Sequence, residues 1–144
     1  MSDNIFIIGF GRFGKLLFDL LKDETSFKSF KRFNVSFFDS NEKFKNHENY
    51  KNLQDGVSNA QHVFLCVPIR GMKNIISEIS GFLKPGTVVL DVCSVKLLPC
   101  EWMLEGLPDN IDIIATHPMF GPDSYSSGLN TDLQIMLYSL RSIS

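Results

Sequence analysis

Gly9-Phe10-Gly11-Arg12-Phe13-Gly14 fits the pattern G-x-G-x-x-G, and its flanks make it the most constraining stretch of the chain. Before it, residues 4–8 (NIFII) form a short apolar run, the pattern of a strand buried on both faces of a parallel sheet. After it, Phe13, Leu16, Leu17, Leu20 and Leu21 fall on one helical stripe that ends near Lys22. In a strand, glycine turn and amphipathic helix, Gly9 permits the tight turn, Gly11 leaves space for a pyrophosphate and Gly14 lets the helix lie close to the sheet. The helix N-terminus then offers unpaired N–H groups and the positive end of its dipole to phosphates. The same six residues without a ligand would be a glycine-rich turn.

The rest of the chain repeats the alternation. Residues 23–33 (DETSFKSFKRF) are weakly patterned, a connector whose phenylalanines patch the sheet edge. Residues 35–38 (VSFF) form a second strand closing on the turn-forming triplet Asp39-Ser40-Asn41. The Lys- and Asn-rich stretch 42–54 holds few apolar residues and is expected on a solvated surface, with no function. Residues 63–67 (VFLCV) are a buried strand stopped by Pro68, and Met72, Ile75, Ile76 and Ile79 give a helical stripe up to Gly81. Lys84-Pro85-Gly86 is a turn, residues 87–92 (TVVLDV) a strand, and Pro99 can open a short helix through Leu104. Residues 111–115 (IDIIA) make one more strand, and 133–140 (LQIMLYSL) a closing one. Such alternation predicts an α/β fold: a single Rossmann-type, doubly wound domain over residues 1–144, with a mostly parallel sheet and helices on both faces.

Composition removes several function classes. With 44% apolar and 21% charged residues the chain is an ordinary globular sequence, and a net charge of −2 supplies no basic field for nucleic acid. Cys66, Cys93 and Cys100 lack metal or redox spacing and read as reduced thiols, two of them packing as small hydrophobes in apolar, β-branched surroundings. No basic leader and no run of ~18 apolar residues is present, so no membrane partner is expected and the cytoplasm is the expected compartment.

Ligands of open parallel sheets bind beyond the C-terminal strand ends. Asp39, at the end of the second strand, can accept hydrogen bonds from the adenosine ribose hydroxyls, although it reads equally as a turn residue. A 2′-phosphate there would meet a like charge with no arginine close by, which favours NAD over NADP, with Lys43 and Lys45 compensating in part. Ser40, Val67 and Pro68 join the glycine motif as expected cofactor contacts. Asp91-Val92-Cys93-Ser94-Val95-Lys96 and Thr116-His117-Pro118-Met119-Phe120-Gly121-Pro122-Asp123-Ser124 follow the later strands and place serine, histidine and aspartate on the same rim.

The glycine motif, the Ser94-Val95-Lys96 segment and the His117-Pro118-Met119-Phe120-Gly121-Pro122 segment with its following acid, in that order and at about that spacing, resemble the prephenate/arogenate dehydrogenase family over nearly the whole chain. The Phe-Gly-Pro form is similar to the arogenate enzymes. The resemblance implies oxidative decarboxylation of a cyclohexadienol, giving tyrosine from arogenate or 4-hydroxyphenylpyruvate from prephenate. It implies that His117 is the base on the ring hydroxyl and that Ser94 orients both the histidine and that hydroxyl. It places Lys96 and Asp123 at polar positions of the same motifs, as candidate substrate contacts; Asp123 stands where many members carry glutamate. An imidazole can accept the hydroxyl proton at neutral pH while hydride leaves the same carbon, and the protein's task is mainly alignment. Alone, His117 would read as a structural or capping histidine, and His47 and His62 have no context beyond that. Because the two motifs follow separate strands of one sheet, Ser94 and His117 are expected within hydrogen-bond reach of one another.

Three further expectations accompany the resemblance. The family's helical domain for dimerisation and substrate closure is expected to be absent from residues 1–144, leaving an apolar patch, with a homodimer or a partner chain to cover it and poor turnover by the chain alone. Arg70, Lys96 and Arg141 are the candidate cations for a substrate carboxylate, none at the spacing of a bidentate clamp. Other readings are a small-substrate dehydrogenase of the β-hydroxyacid or pyrroline-carboxylate reductase type, and a catalytically silent NAD-binding module or truncated fragment.

Overall fold

Six strands and five helices alternate along residues 3–23, 33–126 and 134–143, the residues that the computed structural model describes. They run β1 (Asp3–Ile8), α1 (Arg12–Lys22), β2 (Phe33–Phe38), α2 (Leu53–Asn59), β3 (His62–Leu65), α3 (Ile69–Ile79), β4 (Val88–Asp91), α4 (Leu97–Gly106), β5 (Asp112–Pro118), α5 (Pro122–Ser126) and β6 (Ile135–Arg141). The sheet order is β2-β1-β3-β4-β5-β6, parallel throughout except for the antiparallel β5–β6 pair. From β1 the chain winds outward to β2 and then returns to β3 on β1's other side, so the strand order reverses between β1 and β3. That reversal opens a crevice above their C-terminal ends, the usual ligand position in such sheets.

Strand alternation sends successive side chains to opposite faces, and each face has its own core. Ile5, Ile7, Val35 and Phe37 pack under Leu17 and Phe18 of α1. Phe6, Ile8, Val63, Leu65, Val89 and Ile113 pack under Val57 of α2, Met72 and Ile76 of α3, and Met103 of α4. Strands buried on both faces explain why the sequence runs are continuously apolar rather than alternating.

The charged residues of the stretch 42–54 are exposed as expected, but the stretch also carries ordered structure that its composition does not announce. It holds a short 3₁₀ turn at Glu42–Phe44 and the start of α2, while Phe44 and Tyr50 pack against the core over Phe37. Asn52 caps α2 by accepting the Asp55 N–H at 2.8 Å. This helix is too short for a readable stripe, and Gly56 inside it looks like a breaker; a Cβ there would fall 2.2 Å from the Phe6 ring, so the glycine is a packing requirement. Helix α4 begins at Leu97, with Pro99 in its first turn where a missing N–H costs nothing, and α5 was not anticipated. Residues 24–32 of the expected connector and Leu133 of the expected closing strand lie outside the described residues. Among the described residues no helix is long and apolar enough to cross a membrane.

Candidate functional site

The glycine turn is held by three different constraints. Gly9 sits at φ +101, which disfavours an L side chain, and a Cβ there would lie 2.6 Å from the Cys66 carbonyl oxygen. Its N–H donates to the Phe38 carbonyl at 2.9 Å, tying the turn to β2. At Gly14 a Cβ would stand 1.9 Å from the Gly9 carbonyl oxygen, so α1 can lie against the turn only without a side chain. Gly11 meets nothing within 4 Å: its missing side chain leaves open space at the N-terminus of α1, whose first turn carries no acid. These features suit an anionic pyrophosphate held by backbone N–H groups.

Open space continues as a cleft of about 960 Å³ above the strand ends. Of the expected contacts, Gly9, Gly11, Arg12, Phe13, Asp39, Ser40, Val67, Pro68 and Ser94 line it. Strand β3 stops at Leu65, two residues earlier than its apolar run suggests, which frees Val67 and Pro68 to form the loop before α3. Asp39 accepts the Phe10 N–H at 2.8 Å on one oxygen and the Asn41 N–H at 2.8 Å on the other, so the residue read both as ribose acceptor and as turn former braces the glycine turn while facing the cleft.

Several side chains point away from the cleft or are engaged elsewhere. The Phe10 ring turns away from the cleft into the core and stacks on Phe37 at 3.8 Å, so only its backbone serves the site. Gly14, as expected, lets α1 lie against the turn, below the cleft wall. Arg12 reaches across the mouth to Asp123 of α5, and Phe13 meets Phe120 at 6.0 Å between ring centroids. Lys96 is engaged internally, with its ammonium 2.5 Å from Asp91 and 2.6 Å from the Thr116 carbonyl oxygen. Arg141 pairs opposite Ile113 and donates to the carbonyls of Ile111 and Pro108, at the end of β5 remote from the cleft. His62 opens β3 at that same remote end, and His47 packs against Phe37.

His117 is half-buried on β5 beside Pro118, which lines the cleft, and Ser94 follows the neighbouring strand β4. Among the described residues the hydrogen bonds joining their two segments run through Asp91, Lys96 and Thr116, not directly from Ser94 to His117.

Sequence reasoning missed two groups. Gly71, Asn74 and Glu78 of α3 line the cleft, and their signal was the polar stripe beside that helix's apolar one. Asp91 is fully buried at the end of an apolar strand; a carboxylate there demands a cation, and Lys96 was the nearest in sequence. Burial, with Asp91 adding to it, pushes the Cys93 thiol up to about 11, and burial raises the Cys66 thiol as well. Both thiols stay neutral in the cleft wall.

Comparison with known proteins agrees with this geometry. The family model described as prephenate dehydrogenase, nucleotide-binding domain, matches residues 33–135. The chain is 31% identical over 136 residues to arogenate dehydrogenase 1, chloroplastic, of Arabidopsis thaliana, covering 86% of this chain and 19% of that protein. It is 33% identical over 72 residues to the cyclohexadienyl dehydrogenase of Zymomonas mobilis, covering 50% and 24%. The chain thus spans less than a quarter of the length of these relatives. Among solved structures, a pyrroline-5-carboxylate reductase from Coxiella burnetii superposes with a TM-score of 0.76 at 16% identity over 100% of this chain and 52% of that one. An NADH-preferring ketol-acid reductoisomerase from an uncultured archaeon gives 0.72 at 17% over 95% and 43%. At such identities these likenesses show the fold alone.

Proposed function

The chain belongs to the prephenate dehydrogenase nucleotide-binding domain family, and on that premise we propose that its cleft holds NAD and that it is the cofactor-binding part of an enzyme that oxidatively decarboxylates arogenate or prephenate in tyrosine biosynthesis. The observation that carries the reading is the glycine turn: open space at Gly11 beside the N-terminus of α1, with Asp39 facing the same cleft. A dinucleotide held by the glycine turn and Asp39 would supply the hydride acceptor for the ring carbinol carbon.

The protein's own residues have distinct tasks in this reading. The first N–H groups of α1 neutralise the pyrophosphate, and Asp39 accepts from ribose hydroxyls while repelling a 2′-phosphate. His117 takes the hydroxyl proton on an imidazole nitrogen, and Ser94 donates or accepts to keep that hydroxyl aligned. Loss of the ring carboxylate as carbon dioxide is driven by aromatisation, so the protein supplies alignment and not the driving force. Among the described residues Arg12 is the cationic side chain lining the cleft, and Asp123 already engages it. The substrate carboxylates therefore need cations from outside this cleft wall, and slow turnover by residues 1–144 alone is expected.

Incubating the protein with NAD and either arogenate or prephenate, while following NADH by absorbance and cofactor binding by calorimetry, tests the proposal. NADH formation that depends on either cyclohexadienol, even slowly, supports it. Cofactor binding without any turnover, also when the remainder of a family member is supplied in trans, would favour a catalytically silent dinucleotide-binding module instead.

A further inference from the structure

Strand β4 leaves the sheet at Asp91 while β5 runs on to Pro118. The register sets Asp91 opposite Ala115, so Thr116 is the first residue of β5 with no β4 residue across from it. Side chains continue the ladder there. The Thr116 N–H donates to Asp91 Oδ1 at 3.1 Å, and the Thr116 carbonyl accepts from Lys96 Nζ at 2.6 Å. Lys96 Nζ also donates to Asp91 Oδ2 at 2.5 Å, and the Cys93 N–H approaches the same oxygen at 3.3 Å. The Thr116 hydroxyl closes the arrangement on the Asp91 carbonyl at 2.5 Å.

One carboxylate and one ammonium thus tie residues 93 and 96, which bracket Ser94, to residue 116, which precedes His117. The Asp91 side chain is 0% exposed and that of Lys96 24%. Taking both charges out of water is costly, and an apolar pair of similar volume often holds a fold as well or better. An apolar pair cannot supply direction: the ammonium and carboxylate fix two backbone segments at hydrogen-bond distances from a common centre. We propose that Asp91 and Lys96 are positioning residues that set the spacing of Ser94 and His117 before substrate arrives. The proposal rests on the roles given above to Ser94 and His117, and it gives Lys96 an internal task in place of contact with a substrate carboxylate.

Three variants test it: Lys96→Arg, Lys96→Met, and the double variant Asp91→Leu with Lys96→Met. Lys96→Met strands a buried carboxylate and is expected to destabilise the fold, whereas the double variant removes both charges and keeps a packed interior. Measured for each are thermal unfolding, NADH affinity by fluorescence, the NMR resonances of the Ser94 amide and His117 ring, and kcat and KM for arogenate oxidation. The double variant is expected to fold and to bind NADH within about twofold of the unmodified protein. Its Ser94 and His117 resonances shift and broaden, and kcat falls on the order of tenfold to a hundredfold with KM for the cofactor unchanged. Lys96→Arg restores much of both signals. Unaltered Ser94 and His117 resonances in a folded double variant would overturn the proposal. Failure of the unmodified protein to bind NADH would instead sink the functional reading, and the resonances would still decide whether the pair positions the two side chains.

Discussion

Replacing Gly11 by alanine separates the two tasks of the glycine turn. Gly11 is the N-cap of α1 at φ −74, which any L residue adopts, and a Cβ there meets nothing within 4 Å. Alanine is the poorer N-cap by a few tenths to about 1 kcal/mol, while its stiffer unfolded chain offsets about 0.4–1 kcal/mol. Folding stability should therefore change by less than about 1 kcal/mol. The same methyl enters the space where a pyrophosphate would touch the α1 N-terminus. Overfilling a fitted contact costs about 1–3 kcal/mol, which weakens NADH binding by roughly fivefold to a little over a hundredfold. Gly14→Ala is the control, since its Cβ would stand 1.9 Å from the Gly9 carbonyl oxygen and force α1 off the turn. A loss of about 3 kcal/mol of stability is expected there. Urea denaturation and NADH fluorescence titration on the same samples give both quantities. The reasoning fails if Gly11→Ala binds NADH like the unmodified protein, or if Gly14→Ala folds with unchanged stability.

Asp39→Ala removes the acceptor of two backbone N–H groups and should cost about 1–2 kcal/mol of stability while narrowing the gap between NAD and NADP affinity; an unchanged ratio in calorimetry would count against Asp39 as the discriminating group. The Cys93 thiol, pushed from 9.0 to about 11, keeps its proton in the folded state after the unfolded chain has lost it. Stability should therefore decline as pH rises from about 9 toward 11, and Cys93→Ala should flatten part of that decline in unfolding midpoints. Edge strand β6 exposes Ile135, Met136, Leu137 and Tyr138, so sedimentation should show mass rising with concentration through pairing of two copies, and Leu137→Lys should lower it; a monomer at every concentration refutes this.

Most of the scaffold was legible because strands buried on both faces announce themselves as uninterrupted apolar runs, and α1 and α3 carry clear stripes. The glycine turn was legible for a stronger reason: Gly9 and Gly14 answer backbone and packing requirements that no other residue meets as well, and Gly11 leaves open the space a pyrophosphate needs. What escaped was whatever depends on partners distant in sequence. Nothing in the stretch 42–54 revealed that Phe44 and Tyr50 reach back to Phe37, and nothing around Phe10 showed its ring turning inward, since x positions of the motif carry no orientation. Helix α2 was hidden by its length and its glycine. The site shows the same division. Asp39, Ser94 and the rim residues follow from strand ends, but the engagement of Lys96 by Asp91 depends on β4 stopping short of β5, a register fact outside the reach of a linear pattern.

The central claim is that the cleft above β1 and β3 is a nicotinamide dinucleotide site, and calorimetric titration of the purified protein with NADH and NADPH tests it most directly. The account predicts one NADH bound per chain, NADPH bound more weakly, and NADH binding weakened in Gly11→Ala while that variant stays folded. No heat of binding from either dinucleotide to folded protein, or binding that Gly11→Ala leaves untouched, would contradict it.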